Sequence, residues 1–249
     1  MTERERRVRR HAEFGQLDGL VHPSFDPAVH VISALEDSQM ADWPRVDGLD
    51  FGFRAPLAYV WGAVDPSGVL HIIRLRYESG INTDAHIYAV HREEGCPTCW
   101  PGREDWPSDR WWDRRFREAE KCLTCKGTGR RTPEPYVRAA DSADADARDR
   151  WAQLGLPTAA AKKARREGFA AVDRLLEVRD GKPGLVIHDH PSTAPLRTEL
   201  AELAWRDPDA GDRSQLTVHR ETEVVGADHA WDALRYLVMA ARQQRLIEV

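Results

Sequence analysis

No apolar run in the 249 residues approaches the ~18 needed to cross a bilayer, which excludes a helical membrane span. The first residues, Met-Thr-Glu-Arg-Glu-Arg-Arg, have no apolar stretch after their basic side chains and do not read as a secretory signal. The expected location is a cytoplasm. Excess positive charge is also lacking: 36 Lys and Arg stand against 41 Asp and Glu, a net charge of −5. That excludes a uniformly basic nucleic-acid coat but leaves local patches at Arg4–Arg10, Lys126–Arg131 and Lys162–Arg166. An acidic chain still suits DNA chemistry when its carboxylates hold metal ions, because the ions supply positive charge. There is no Gly-x-x-x-x-Gly-Lys-Ser/Thr. Lys126-Gly-Thr-Gly-Arg130 lacks the ending and the spacing of a phosphate loop, so the sequence offers no ATPase site. Cysteine is scarce. All four fall between Cys96 and Cys125, which in a reducing compartment points to metal ligation before disulfides.

What is present reads as an ordinary globular chain, 41% hydrophobic and 31% charged, with room for one ample core. Residues 1–40 read as a charged lead-in with a short extended piece. Five arginines in the first ten residues are either phosphate contacts or a solvated tail. Residues 41–249 form the domain. Arg45–Asp50 and Leu57–Val64 are expected strands, and Asp65-Pro-Ser-Gly68 is a turn into a third strand, Val69–Tyr77. Asn82–Glu94 has helical spacing with a cap at its start. Residues 95–134 break the pattern and read as an insertion. Beyond it come a strand at Pro135–Asp141, helices at Asp144–Leu154 and Arg165–Val178, and a strand at Gly184–His188. A helix at Thr193–Trp205, an extended piece at Leu216–Arg220 and a last helix at His229–Leu246 complete the order. Three strands followed by an alternating α/β half predict a mixed sheet with helices on both faces, the ribonuclease H-like order.

Two expected strands end in acids, Asp50 and Asp141. If they lie side by side and parallel, both carboxylates share one sheet edge, where α/β sites form. The last helix opens with Asp228-His-Ala-Trp-Asp232, which offers a third acid and puts His229 and Asp232 on one face. Three hard oxygen ligands suit Mg²⁺ or Mn²⁺, and a pair of such ions suits phosphodiester hydrolysis. Each acid alone has a plainer reading as a strand-end turn or a helix N-cap.

With these pieces in order, the chain resembles the C-terminal nuclease domain of phage terminase large subunits, the motor-nucleases of viral DNA packaging. The matching runs are Gly19-Leu-Val-His-Pro-Ser-Phe-Asp26 with His30-Val-Ile32, Gly48-Leu-Asp-Phe-Gly52 with Pro56, and Ala140-Asp141. Leu154-Gly-Leu with Ala161-Lys162-Lys163 and Gly168 follows, and the most specific run is Asp228-His-Ala-Trp-Asp-Ala-Leu-Arg-Tyr236. The resemblance implies a metal-dependent endonuclease that cuts double-stranded viral DNA by two-metal hydrolysis in the host cytoplasm. It implies Asp50, Asp141 and Asp232 as ligands of Mg²⁺ or Mn²⁺, with His229 as a ligand or the partner of one. Asp144 and Asp228 stand as substitutes for Asp141 and Asp232. A packaging ATPase, as a domain or a separate chain, and the portal are the implied partners. Lys162, Lys163, Arg165 and Arg166 are the candidate phosphate contacts, or else a solvated helix start. Two other readings are an inactive zinc-containing adaptor and a different ribonuclease H-like nuclease such as a junction resolvase. The adaptor would be expected to have lost an acid, and the closing His-x-x-Asp run speaks against the resolvase.

The insertion is outside that resemblance. Cys96-Pro-Thr-Cys99 and Cys122-Leu-Thr-Cys125 are two C-x-x-C pairs with 22 residues between them, the spacing of a closed structural Cys₄ zinc site in a ribbon-like module. Ser108–Lys121 reads as a short helix carrying Trp111, Trp112, Arg114, Arg115 and Arg117, a partner-binding face or the module's own core. The insertion enters the Asp141 strand at the end away from the acid. The zinc is therefore expected roughly 20 Å from the catalytic edge, six residues at ~3.3 Å each.

Overall fold

In a computed structural model of the chain, the described residues are 19–96, 122, 130, 133–205 and 224–248. Helix α1 (Pro27–His30) leads into strand β1 (Val31–Ser33). Strands β2 (Arg45–Asp50), β3 (Leu57–Val64) and β4 (Leu70–Glu78) form an antiparallel meander. Helix α2 (Thr83–Glu94) precedes the insertion. Strand β5 (Val137–Ala140), helix α3 (Ala145–Gln153), strand β6 (Ala159–Ala160) and helix α4 (Arg165–Leu176) follow it. A two-residue ribbon, β7 (Val178–Arg179) with β8 (Lys182–Pro183), leads to β9 (Leu185–Asp189) and helix α5 (Ala194–Glu202). A second ribbon pairs β10 (Ala204–Trp205) with β11 (Val224–Val225) ahead of the last helix, α6 (His229–Gln243). The main sheet has seven strands in the order β1-β9-β4-β3-β2-β5-β6. Only the β2–β3 and β3–β4 pairs are antiparallel.

Local chemistry accounts for most boundaries. Asp65 Oδ1 accepts the backbone N–H of Ser67 and Val69 and closes the β3–β4 turn. Asn82 caps α2 by accepting from Ala85 N at 2.8 Å, and Asp144 caps α3 from Ala147 N at 2.8 Å. Gly155, at φ +83°, ends the α3 segment in a conformation that other residues resist.

The lead-in departs from expectation. Residues 19–40 carry β1, the sheet's edge strand, which pairs in parallel with Ile187–Asp189. Val21, Phe25 and His30 are buried, so this stretch is part of the folded body. Leu216–Arg220 lies outside the described residues.

The sheet is covered on both faces. On one, α6 lies directly across β2 and β3, and eleven of its fifteen residues are buried, so it is a central helix enclosed on most of its circumference. Gly48 makes this possible: a Cβ there would sit 2.0 Å from Ala233 O and 2.8 Å from Leu237 Cβ. Gly62 opens the same approach on β3, next to a bulge in the β3–β4 ladder. On the other face, Leu49, Tyr59, Trp61, Ile87, Val90 and Trp151 pack beneath α2 and α3. A buried charge network stands at the end of that cluster. Glu94 Oε2 takes Arg130 Nη1 at 2.7 Å and Arg138 Nη2 at 2.8 Å, and Tyr59 donates to Asp47 Oδ2 at 2.8 Å. Burial pushes Asp47 up to about 6, against the pull of Arg45 and Arg138.

Candidate active site

Asp50 and Asp141 leave neighbouring parallel strands side by side. Leu49 is in register with Ala140, and the N–H of Asp141 donates to Leu49 O at 3.1 Å. Helix α6 runs away from this edge over Gly48, so its first turn stands above Asp50. His229 Nδ1 lies 3.2 Å from Asp50 Oδ2, and Asp232 follows one turn along. The fold thus gathers Asp50, Asp141, Asp232 and His229 at one edge. Both substitutes have other roles. Asp144 is the N-cap of α3, and Asp228 receives Arg165 Nη2 at 2.7 Å.

The three acids share one electrostatic field. Burial raises the Asp50 carboxyl, the charges of Asp232 and Asp141 push the same way, and His229 opposes them. The His229 imidazole is raised mainly by its hydrogen bond to Asp50. Burial would raise Asp141, but Lys163, 2.7 Å from Oδ1, and the N–H of Ala143 outweigh it and hold it low. Burial raises the Tyr236 hydroxyl, and all three acids add to the shift. Asp232 Oδ1 accepts Arg235 Nε at 2.9 Å and Arg235 Nη2 at 2.7 Å.

Of the four candidate phosphate contacts, Lys163 is therefore on Asp141 and Arg165 on Asp228; Lys162, three residues before α4, and Arg166, in its first turn, have exposed side chains. Sequence reading missed Glu199 of α5. It is buried, accepts Trp231 N at 2.7 Å and Tyr77 Oη at 2.8 Å, and so caps the first turn of α6 from a neighbouring helix. No local signal marks it, since its partners are 32 and 122 residues away.

The donor set fits a hard divalent cation. Oxygen donors dominate, and Asp50 is held up partly by the like charges of its two neighbours, which a cation would relieve. As the side chains stand, Lys163 and Arg235 neutralise two of the acids. Among the described residues no three His, Cys, Asp or Glu side chains are grouped to hold a metal.

The insertion is rooted at the opposite end of these strands. Gly95 bridges Arg130, the Arg130–Glu94 and Arg138–Glu94 pairs lie beside Asp47, and Tyr136 N donates to Arg45 O at the start of β2. Cys96, buried, and Cys122 bring their sulfurs to 3.9 Å. Cys99, Cys125 and Ser108–Lys121 lie outside the described residues.

No family model matches the sequence, and no curated protein matches it. Solved structures do. The large terminase of a thermophilic bacteriophage aligns over 88% of this chain at a TM-score of 0.54 and 17% identity, and the chain spans 45% of that protein's length. The P22 large terminase nuclease domain aligns over 92% of this chain and 98% of its own, with a TM-score of 0.55 and 14% identity. The large terminase nuclease domain of bacteriophage SPP1, solved with bound Mn, aligns over 87% and 96%, with 0.52 and 15%. No helix among the described residues is long and apolar enough to cross a membrane. A seven-stranded mixed sheet under a central C-terminal helix, aligned along nearly its whole length with these domains, is the ribonuclease H-like fold of phage large-terminase nuclease domains.

Proposed function

We propose that the chain is a divalent-metal-dependent endonuclease that hydrolyses double-stranded DNA during viral genome packaging. The observation that carries this reading is the convergence of Asp50, Asp141 and Asp232, from two parallel strands and the first turn of α6, at one edge of a terminase-nuclease fold. The SPP1 domain with bound Mn supports the metal class. Asp50, Asp141 and Asp232 would hold Mg²⁺ or Mn²⁺, with two ions the working expectation. The cations would supply an activated water and charge stabilisation at the leaving 3′ oxygen. His229 orients Asp50 through its 3.2 Å contact, and Lys163 holds the Asp141 carboxylate at the same edge. Lys162, Lys163, Arg165 and Arg166 flank this edge as phosphate contacts. The large terminase of the thermophilic phage was solved with ATP-gamma-S and with ADP, which supports a packaging ATPase, in the same or another chain, as a partner. A portal is the further partner proposed to position DNA.

The cysteine module is proposed to hold a structural zinc on Cys96, Cys99, Cys122 and Cys125. The 3.9 Å between the Cys96 and Cys122 sulfurs supports this, since Zn–S bonds of ~2.3 Å place tetrahedral thiolates about 3.8 Å apart. Its root beside Arg45, at the far end of β2 from Asp50, keeps it away from the catalytic edge.

The test is supercoiled plasmid incubated with the protein and Mn²⁺, with and without EDTA. Nicking and linearisation are expected with Mn²⁺ alone. Cutting that survives EDTA, or none with any divalent metal, would overturn the reading.

A further inference from the structure

Arg235 is an anomaly on the last helix. It sits at the third position after Asp232, its side chain is 3% exposed, and Nη1 is buried with no hydrogen-bond partner among the described residues. A buried guanidinium with an unpaired N–H is costly, and an apolar side chain of similar volume serves a core better. Burial alone does not explain the residue.

Its surroundings fix it in one place. The guanidinium carbon lies 4.4 Å from the centroid of the Tyr236 ring and 5.4 Å from that of Trp231. Its stem crosses Gly168 of α4 so closely that a Cβ there would come within 2.5 Å of both Arg235 Cγ and Cδ. Both of its bonds to Asp232 land on the same oxygen, Oδ1. The other oxygen, Oδ2, has no hydrogen bond to the described residues, which leaves one face of the carboxylate for a cation.

We infer that Arg235 is a positioning residue that orients the Asp232 carboxylate for divalent-cation binding, with Gly168 as the gap that lets it reach. The inference rests on the metal-nuclease reading above. Arg235 does not touch substrate in this role. It acts by holding Oδ1 and leaving Oδ2 to bind a cation shared with Asp50 and Asp141. Losing a partner that orients a ligand typically weakens metal binding 10–100-fold.

The experiment is Mn²⁺ titration followed by calorimetry on purified wild-type protein and on Arg235→Met, Arg235→Lys and Gly168→Ala, with melting temperatures recorded alongside. Arg235→Met is expected to weaken Mn²⁺ binding by about 10-fold or more. Arg235→Lys, which keeps one charged donor, should recover part of the loss. Gly168→Ala touches no acid and should weaken binding by displacing the Arg235 stem, which keeps the test open if the Met variant does not fold. In an Asp232→Asn background, Arg235→Met should cost nothing further. Equal Mn²⁺ affinity in wild type, Arg235→Lys and Gly168→Ala would overturn the positioning role and leave the nuclease reading standing. A wild type that binds no Mn²⁺ would overturn both.

Discussion

Two of the carboxylates at the sheet edge already answer to cations of their own chain, Asp141 to Lys163 and Asp232 to Arg235. This shapes what the basic run after Asp141 does for DNA. Changing Lys162, Lys163, Arg165 and Arg166 together to Ala is expected to weaken DNA binding and flatten its salt dependence. Each lost phosphate contact should remove about 0.9 from the slope of log K against log salt. An unchanged slope would dismiss the patch. Arg165, tied to Asp228, should contribute least when changed alone. At this scale the sequence was readable where a motif fixes the residue. Asp50 ends a strand, Asp141 follows one, and Asp232 sits in a helical run, so topology alone gathers them. Glu199 and Arg235 were not readable: one acts through contacts distant in sequence, and the other passed as a spacer inside Asp-Ala-Leu-Arg-Tyr.

At the scale of elements, α6 is held to the sheet by the absence of side chains. Gly48→Ala would drive a Cβ to within 2.0 Å of Ala233 O, so helix and strand must separate. The expected cost is about 1–3 kcal/mol in urea unfolding, with cleavage lost as His229 and Asp232 shift off Asp50. Glu94 plays the converse role at the other end. Burial raises its carboxyl, but Arg138 and Arg130 outweigh that and hold it low. Glu94→Gln leaves both guanidiniums short of a counter-charge and is expected to destabilise by about 3–5 kcal/mol, again read by urea unfolding. Strands β2 and β3 fall on the residues their sequences predict, because the Asp-Phe-Gly after β2 and the apolar run of β3 ending at Asp-Pro-Ser-Gly leave little choice. Strand β1 was expected only as a short extended piece of the lead-in. It is three residues long, and its pairing with Ile187–Asp189 at the sheet edge is a tertiary event that no local signal marks.

Across the whole molecule, two buried histidines contribute a loss of stability in acid, which the raised carboxyl of Asp47 partly offsets. His86 and His188 are both pushed down to about 4, chiefly by burial and then by Arg76 and His71 respectively. Between about pH 6.5 and 4 the unfolded chain therefore binds protons that the folded chain refuses. Stability from this source is complete above about pH 6.5 and falls as pH drops toward 4. A melting temperature that declines over that window, and declines less in His188→Gln, is the expected result. The zinc module is expected to be separable from catalysis. Metal analysis should find one zinc per chain, and Cys122→Ser should lose it, melt earlier and still cut DNA. A Cys122→Ser protein that melts like wild type yet fails to cut would place the cysteines at the catalytic edge instead.

Asp50, Asp141 and Asp232 are proposed to form one metal-dependent nuclease centre. The most direct test is cleavage of supercoiled plasmid in Mn²⁺ by wild type and by Asp141→Asn at matched concentration and matched melting temperature. Asp141 is only partly buried, so the change opens no core cavity while removing a ligand charge. The expected result is cutting by wild type and none by the variant. Undiminished cutting by Asp141→Asn would rule out Asp141 as part of a metal-dependent centre.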